Sequence, residues 1–446
     1  MSLALAEAAR RAAGALRAAR PGEEIRGHVA AVDALSVEIA GLSGFVALGT
    51  RLLIGGPGAL VPAEVVAVSA RSARAVAFGA LDEIRLGAPA RLAGAARLSP
   101  CEGWLGRVVD PLGRPMDGKG PLPTGTTARP LRTPAPEAGL RARLGPRLEL
   151  GVRALDAFCT MRRGQRLGLF AGSGVGKSTL LSMLARAADC DAAVLCLVGE
   201  RGRELREFLE DDLGPEGLAR SVVVCATSDA PAPLRRDAAF AAMTVAESLA
   251  AGGRHVLLMM DSVTRFALAC REIGLAAGEV PATRGHTPSV FAELPRLLER
   301  AGPGLESEGG FITGLFTVLV DGDDHDEPVA DAVRGILDGH VILDRKIGER
   351  GRWPAIDVLR SLSRTVPGCL EPAERDTLAR ARRILSVAAE MSELVRLGAY
   401  RHGTDLEVDE ALRLAPAIEA FLAQRKDEAR IGTTDALAAL AEAVAP

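Results

Sequence analysis

The sequence predicts an α/β protein read in three stretches: a small N-terminal β-barrel, a parallel sheet covered by helices, and a helical C-terminal domain. Three observations carry this reading. Short β-type runs broken by Gly and Pro every eight to twelve residues fill roughly 24–95, the pattern of a small sandwich or barrel. Between about 150 and 345, buried apolar runs alternate with helical stretches, which implies a parallel sheet with helices on its faces. Beyond Pro372 the apolar residues recur at helix spacing.

Length and composition bound the rest. A chain of 446 residues suggests two to four domains at roughly 150 residues each. Hydrophobic residues make up 48%, charged residues 25%, and the net charge is −3. That balance argues against disorder and against nucleic-acid binding driven by bulk positive charge. No apolar run reaches the roughly 18 residues of a membrane span. The seven cysteines (101, 159, 190, 196, 225, 270, 369) include no CxxC pair, which reads as reduced thiols in a cytoplasmic chain. Of 54 basic residues only four are lysines, Lys119, Lys177, Lys346 and Lys426. Where charge alone is needed this chain uses arginine, so each lysine asks what a guanidinium could not do there.

Residues 1–23 hold an Ala/Arg-rich stretch of high helix propensity with Leu3, Leu5 and Leu16 along a basic run. A solvated helical extension, a partner-docking helix and a membrane-surface helix all fit it. A cleaved targeting peptide fits less well, because no small-residue cleavage site follows an apolar core. In the expected barrel, 24–95, the β-type runs are Gly27–Val32, Ser36–Ile39, Gly44–Ala47, Val61–Ser69 and Ala75–Phe78. The α/β core is expected over 96–372. Its stretch from about 118 to 147, rich in Pro, Gly and Arg, reads as irregular. Its strands are expected at Arg166–Phe170, Val194–Val198, Val222–Ala226, Val256–Met260, Ile312–Val320 and Val341–Leu343. The C-terminal domain, 373–446, should carry helices over 373–398, 407–424 and 433–444.

The first of these strands runs into Ala171-Gly172-Ser173-Gly174-Val175-Gly176-Lys177-Ser178-Thr179, with a helix behind it. Strand, glycine-rich turn and helix form the context a phosphate-binding loop requires. Glycines let successive N–H groups converge on one anion, and the helix N-terminus adds its dipole. Lys177 would reach the terminal phosphates and the Ser178 hydroxyl would ligate Mg²⁺. The strict pattern has glycine where this chain has Ala171, so the neighbouring Gly172 and Gly174 are expected to supply the freedom. A plain glycine-rich turn is the alternative, but a compact ammonium at Lys177, in an arginine-writing chain, speaks for phosphate.

Two strands end in carboxylates, and ligands of open α/β sheets gather at strand carboxyl ends. One strand ends in Gly199-Glu200-Arg201-Gly202-Arg203, the other in Asp261-Ser262. Asp261 would hold the Mg²⁺ shell through water, and Glu200 would polarise the water attacking the γ-phosphate. Each acid has a plainer alternative: Asp261 as a helix cap, Glu200 in a surface ion pair with Arg201 or Arg203.

Taken with Gly106–Asp117, Gly199–Glu204, Asp261–Phe266, Arg284–Phe291, Ile336–His340, Trp353–Asp357, Ser361–Arg364 and Leu397–Tyr400, these motifs carry a family resemblance. The chain resembles the rotary-type hexameric ATPases related to the catalytic subunit of F-type ATP synthase. It is most similar to the type III secretion ATPases of the flagellar export branch, with the injectisome ATPases as siblings. The resemblance covers nearly everything beyond residue 24. It implies a RecA-like P-loop core, ATP and Mg²⁺ as substrate and cofactor, and a homo-hexameric ring.

It also implies Glu200 as the catalytic glutamate, a position that is not glutamate in the family's non-hydrolysing subunits. Arg364 matches the arginine finger inserted into a neighbour's site, Arg201 is a second candidate for the γ-phosphate, and Trp353 lies at the adenine position. Without the resemblance, Arg364 would be one more surface arginine and Trp353 one more packed ring. The implied partners are a regulatory protein at the N-terminal helix, and a stalk protein and export cargo or chaperones at the C-terminal domain. The implied location is cytoplasmic, with peripheral contact to the membrane export gate at the inner face.

Departures from the family fall at Arg284–Phe291, where relatives carry Tyr-Pro, and in the acidic stretch 321–328. That stretch reads as a solvated interface turn, since it lacks the glycine and distal glutamate of a calcium loop. Wording around 166–187 and 381–401 favours the flagellar over the injectisome branch. An RNA-dependent hexameric translocase would need stacking aromatics in its barrel, and residues 24–95 hold only Phe45 and Phe78. No nucleic-acid partner is expected. A purely structural ring subunit is argued against by Glu200 and Arg364. The six histidines show no paired spacing and receive no role.

Overall fold

A computed structural model describes residues 25–55, 60–82, 84–172, 174–320, 327–366 and 368–445. The expected N-terminal helix (1–23), Ser173 and positions 321–326 of the acidic stretch lie outside the described residues.

Six antiparallel strands close into a barrel: β1 (Arg26–Val32), β2 (Val37–Ala40), β3 (Arg51–Ile54), β4 (Val61–Val68), β5 (Ser72–Ala77) and β6 (Pro89–Gly94), in the order β1-β2-β5-β4-β3-β6. Val37, Ile39, Ala63, Val65, Ala73 and Ala75 alternate inward and are fully buried. Alanine opposite valine keeps the side-chain volume small enough for so narrow an interior. The expected strand at Gly44–Ala47 is instead two successive turns, flanked by left-handed Gly41 (φ 85°) and Gly49 (φ 83°). The barrel is completed by Arg51–Ile54 and Pro89–Gly94, whose leucine, alanine and proline content gives little β signal.

The core sheet has eight principal strands: β7 (Arg107–Val109), β8 (Arg166–Ala171), β9 (Ala192–Glu200), β10 (Ser221–Thr227), β11 (His255–Asp261), β12 (Phe311–Leu319), β13 (Gly339–Leu343) and β14 (Ile356–Ser363). Their order is β14-β13-β8-β12-β11-β9-β10-β7, with Gly302–Pro303 as a short ninth strand on β12. Seven run parallel, while β14 and the short strand are antiparallel. The sheet is therefore not purely parallel as expected, and β7 and β14 extend it at its two edges.

Burial on both faces explains the unbroken apolar runs. On β9, Val194, Cys196 and Val198 pack with the helices Ala232–Ala250, Val263–Ala277 and Pro288–Leu298. The alternate residues Ala193, Leu195 and Leu197 pack with the Lys177–Ala187 helix and the C-terminal helices. Those C-terminal helices span Pro372–Arg396, Leu406–Leu422 and Thr433–Ala443, and the first opens on a capping box formed by Glu371 and Glu374. All seven cysteines are free thiols.

A buried ion network joins barrel and core. Arg236, on the 232–250 helix, donates to Glu64 of β4 at 2.7 Å and to its neighbour Asp237 at 2.7 Å. Arg51 of β3 pairs with the same Asp237 and lies 3.2 Å from Glu64. Burial pushes the Asp237 carboxyl up, but Arg236 and Arg51 outweigh it and hold the group below its usual range. Removing Asp237 leaves two buried guanidinium groups short of a counter-charge. Asp237→Ala should therefore cost roughly 3–5 kcal/mol, read in chemical denaturation as the barrel separating from the core early. An unchanged denaturation profile would show that the network does not hold this junction.

Candidate active site

The phosphate loop leaves β8 between β13 and β12, so it rises from the middle of the sheet at its carboxyl edge. Ala171 is the last residue of β8, paired with Leu319 and Leu343 and buried. Its backbone is extended, which any residue adopts, and this is why alanine serves where the strict motif has glycine. Left-handed backbone is supplied by Gly174 (φ 75°) and Gly176 (φ 80°). Val175 is buried beneath the loop. Gly176 caps the helix Lys177–Ala187 with no side-chain cap, so the first N–H groups of that helix are available to an anion. Ser178, exposed, and Thr179, half-buried, stand on its first turn.

Lys177 reaches across the sheet edge to both strand-end acids. Its Nζ lies 2.5 Å from Asp261 Oδ1 and 3.9 Å from Glu200 Oε1. Asp261 is not the cap of the helix that follows it, because Ser262 Oγ accepts the Arg265 N–H at 3.2 Å and does that work. Glu200 is not in a surface pair either: Arg201 joins Glu204 at 2.9 Å and Arg203 lies 3.9 Å from Glu207. A bulge at Gly199 (φ 68°) lets Glu200 turn from the strand toward the loop. Burial, aided by the Asp261 charge, raises the Glu200 pKa above the ordinary carboxylate value, while Lys177 and Arg265 pull it back.

Two further residues complete the cluster. The Thr317 hydroxyl, on the strand between the loop and Asp261, donates toward Asp261 Oδ1 at 2.9 Å and lies 3.1 Å from the Met260 carbonyl. Arg265 faces Gly199, where an added Cβ would lie 3.5 Å from its side chain. Thr317 is one of two hydroxyls, with Thr313, in an apolar run, and Arg265 lies inside the Asp261–Phe266 motif, so each left a faint trace in the sequence.

The remaining candidates lie around this cluster. Arg201, with a side chain 75% exposed, is engaged with Glu204 and does not join it. The Trp353 ring rests on the loop: a Cβ on Gly176 would be 2.7 Å from Trp353 Cζ3, and one on Gly348 would be 2.8 Å from Cη2. The residue is 43% exposed, so one part of the ring packs and another is open. Arg364 follows β14 and is exposed, its N–H donating to the Asp338 carbonyl at 2.9 Å. Because β14 is antiparallel, Ser363 pairs with Gly339, whereas Leu343 pairs with Ala171 at the root of the loop. Arg364 thus leaves the sheet four strand positions away from its own loop, roughly 13 Å along the strand.

A buried carboxylate holding an ammonium is a cation position, and the oxygen donors Ser178 Oγ and Asp261 suit a hard ion. Among the described residues, no group of three or more His, Cys, Asp or Glu gathers to hold a metal. Mg²⁺ needs only one or two protein oxygens, its shell being completed by phosphate oxygens and water, and Ser178 Oγ and Asp261 are two such donors.

Fold and site together define a P-loop nucleotide-binding protein with a barrel, a RecA-like core and a helical end. Residues 151–363 match the nucleotide-binding domain of the ATP synthase alpha/beta family, and 370–442 match the T3SS EscN ATPase C-terminal domain. The flagellum-specific ATP synthase of Caulobacter vibrioides is 56% identical over 411 residues, covering 91% of this chain and 93% of that one. The type 3 secretion system ATPase of Xanthomonas euvesicatoria is 48% identical over 371 residues, covering 82% of each chain. A solved structure of the assembled ATPase EscN in complex with its central stalk EscO, from the enteropathogenic E. coli type III secretion system, superposes with a TM-score of 0.85. It is 36% identical and covers 94% of this chain and 100% of that one. The chain belongs to the family of flagellum-specific ATP synthases and type III secretion ATPases. Among the described residues, no helix is long and apolar enough to cross a membrane.

Proposed function

We propose that this chain hydrolyses ATP, with Mg²⁺, to energise protein export through a flagellar type III secretion apparatus, and that it works as a ring of six. The observation that carries the chemistry is the convergence of Lys177, Glu200 and Asp261 at the mouth of the phosphate loop. The loop N–H groups from Gly174 to Thr179 seat the phosphates, and Lys177 turns from Asp261 to the β- and γ-oxygens. Ser178 Oγ would ligate the metal and Asp261 would hold its shell through water. When bound, Mg²⁺ neutralises charge gathering on those oxygens.

Glu200 orients a water in line with the γ-phosphorus and takes its proton as the new O–P bond forms. The bond from the γ-phosphorus to its bridging oxygen breaks, and ADP leaves with the electron pair. Arg364 leaves the sheet four strand positions from the level of its own loop, so we assign it to the site of the next subunit, where its guanidinium would spread the transition-state charge. Arg201 retains at most an indirect part, given its pairing with Glu204.

The flagellar reading is supported by the 56% identity to a flagellum-specific relative over 91% of the chain. The ring and a stalk at the C-terminal helices are proposed from the assembled, stalk-bound relative. Docking of a regulatory protein by residues 1–23, contact of cargo or chaperones with the C-terminal helices, and a cytoplasmic position against the membrane export gate complete the proposal. Removing the chain from its host should abolish flagellar filaments. The wild-type chain should restore them, and Lys177→Ala should not. Normal filaments without the chain, with secretion of virulence proteins lost instead, would move the assignment to an injectisome.

A further inference from the structure

Gln424 follows the Leu406–Leu422 helix in a surface segment, yet it is only 6% exposed, and its backbone N–H and both polar side-chain atoms are engaged. Its backbone N–H donates to the Trp353 carbonyl at 2.7 Å. Its side-chain Nε2 donates to the Gly151 carbonyl at 3.0 Å, and its Oε1 accepts the Arg153 N–H at 2.9 Å. Arg153 grips the same segment, through Nε to the Phe421 carbonyl at 2.9 Å and through its guanidinium to the Ala423 carbonyl and Glu428.

The turn that Gln424 holds cannot move far. Asp156 accepts the Leu150 N–H at 2.8 Å, and a Cβ on Gly151 (φ 73°) would lie 2.6 Å from Ala187 Cβ. A few residues later, Arg430 Nη1 donates to the Ala187 carbonyl at 2.6 Å, and Arg186 donates to the Lys426 carbonyl at 2.8 Å. Ala187 is the last residue of the phosphate-loop helix and Gly176 caps its start. One short segment of the C-terminal region therefore brackets that helix. It grips the far end through Arg430 and the near end through Trp353, whose ring lies on Gly176.

We propose that Gln424 is a positioning residue for the nucleotide base: it fixes the backbone at Trp353 and so sets the ring against the loop. By this route the C-terminal helical region contributes to ATP affinity without touching a phosphate. The proposal rests on the reading of Trp353 as the face against which the base stacks. The ring is wedged between two glycines that leave no room for a Cβ. The bond to the Trp353 carbonyl comes from the Gln424 backbone N–H, so losing the side-chain bonds to Gly151 and Arg153 lets that backbone shift and carry Trp353 with it, while the phosphate loop keeps its own shape.

The test uses the full chain with ATP and inorganic tripolyphosphate, which lacks a base. Gln424→Ala should raise KM for ATP about tenfold, the equivalent of roughly 1.4 kcal/mol, with kcat unchanged and inhibition by tripolyphosphate unchanged. Gln424→Glu keeps the acceptor for the Arg153 N–H but sets a carboxylate oxygen against the Gly151 carbonyl, so its KM should rise at least as far. That variant also carries the test if Gln424→Ala does not fold. The nucleotide-dependent tryptophan fluorescence, taken as the difference from Trp353→Phe since Trp104 is the other tryptophan and is buried, should weaken in step with KM.

Equal losses of ATP and tripolyphosphate binding would make Gln424 merely structural and overturn the proposal. Unchanged ATP affinity in both Gln424 variants, with Trp353 still responding to ATP, would overturn the role of Gln424 and leave the base reading standing. A Trp353 that does not respond in the wild type, with Trp353→Ala binding ATP normally, would overturn the base reading and the proposal with it.

Discussion

Replacing Glu200 with glutamine should leave a chain that binds ATP as the wild type does and hydrolyses it roughly a thousandfold more slowly, in the middle of the range for loss of a general base. The substitution is nearly isosteric and removes only the capacity to accept a proton. Lys177, the phosphate loop and Asp261 remain, so nucleotide affinity has no reason to fall. The same carboxylate also sets an acid limb. Burial and the Asp261 charge hold the Glu200 pKa above the ordinary value, so the ionised base is lost at a higher pH than for a solvated glutamate. Wild-type turnover should therefore decline on acidification before ordinary surface carboxylates titrate, and the residual activity of Glu200→Gln should show no such limb. Hydrolysis near the wild-type rate in Glu200→Gln would remove the residue from the mechanism.

The second large effect is at Arg364. Arg364→Ala should keep ATP binding and lose roughly 10³–10⁵ in turnover, the contribution of an arginine finger. Arg364 leaves an antiparallel edge strand four positions from the level of its own phosphate loop, so within one subunit it is badly placed to touch a γ-phosphate. The proposed ring would place that face against the next subunit's loop, and activity would then depend on assembly. Wild-type turnover per subunit should rise with protein concentration, and this rise should vanish in Arg364→Ala. A turnover independent of both concentration and Arg364 would mean that each subunit is complete in itself.

Much of this was legible in the sequence because different signals agreed. The buried strands showed as apolar runs on account of their two covered faces, and the loop showed through its glycines and its rare lysine. The chain order of Glu200 and Asp261 placed both at strand ends, and the strands proved to lie on the same sheet edge. What the sequence hid was contact across the sheet. Nothing local marks Thr317 as the partner of Asp261, because the strand order that brings them together is not written in either segment. The same holds for Gln424, which reaches Trp353 and Gly151 only after the chain folds back on itself. The barrel was harder for a different reason. Its third and sixth strands are built from leucine, alanine and proline, while the β-type run at Gly44–Ala47 is overridden by the flanking glycines. The glycine that the strict motif expects where this chain has Ala171 is dispensable, because that position is the end of a strand and not part of the turn.

The central claim is that the site is shared, with Glu200 from one subunit and Arg364 from the next. It is tested most directly by mixing two inactive chains, Glu200→Gln and Arg364→Ala, in equal amounts under conditions where subunits exchange. In a closed head-to-tail ring about a quarter of the interfaces then combine an intact Glu200 with an intact Arg364. The account predicts recovery of MgATP hydrolysis to a substantial fraction of that share. If Arg364 acted within its own subunit, neither chain would hold both groups, the mixture would stay as inactive as its components, and the shared-site mechanism would be contradicted.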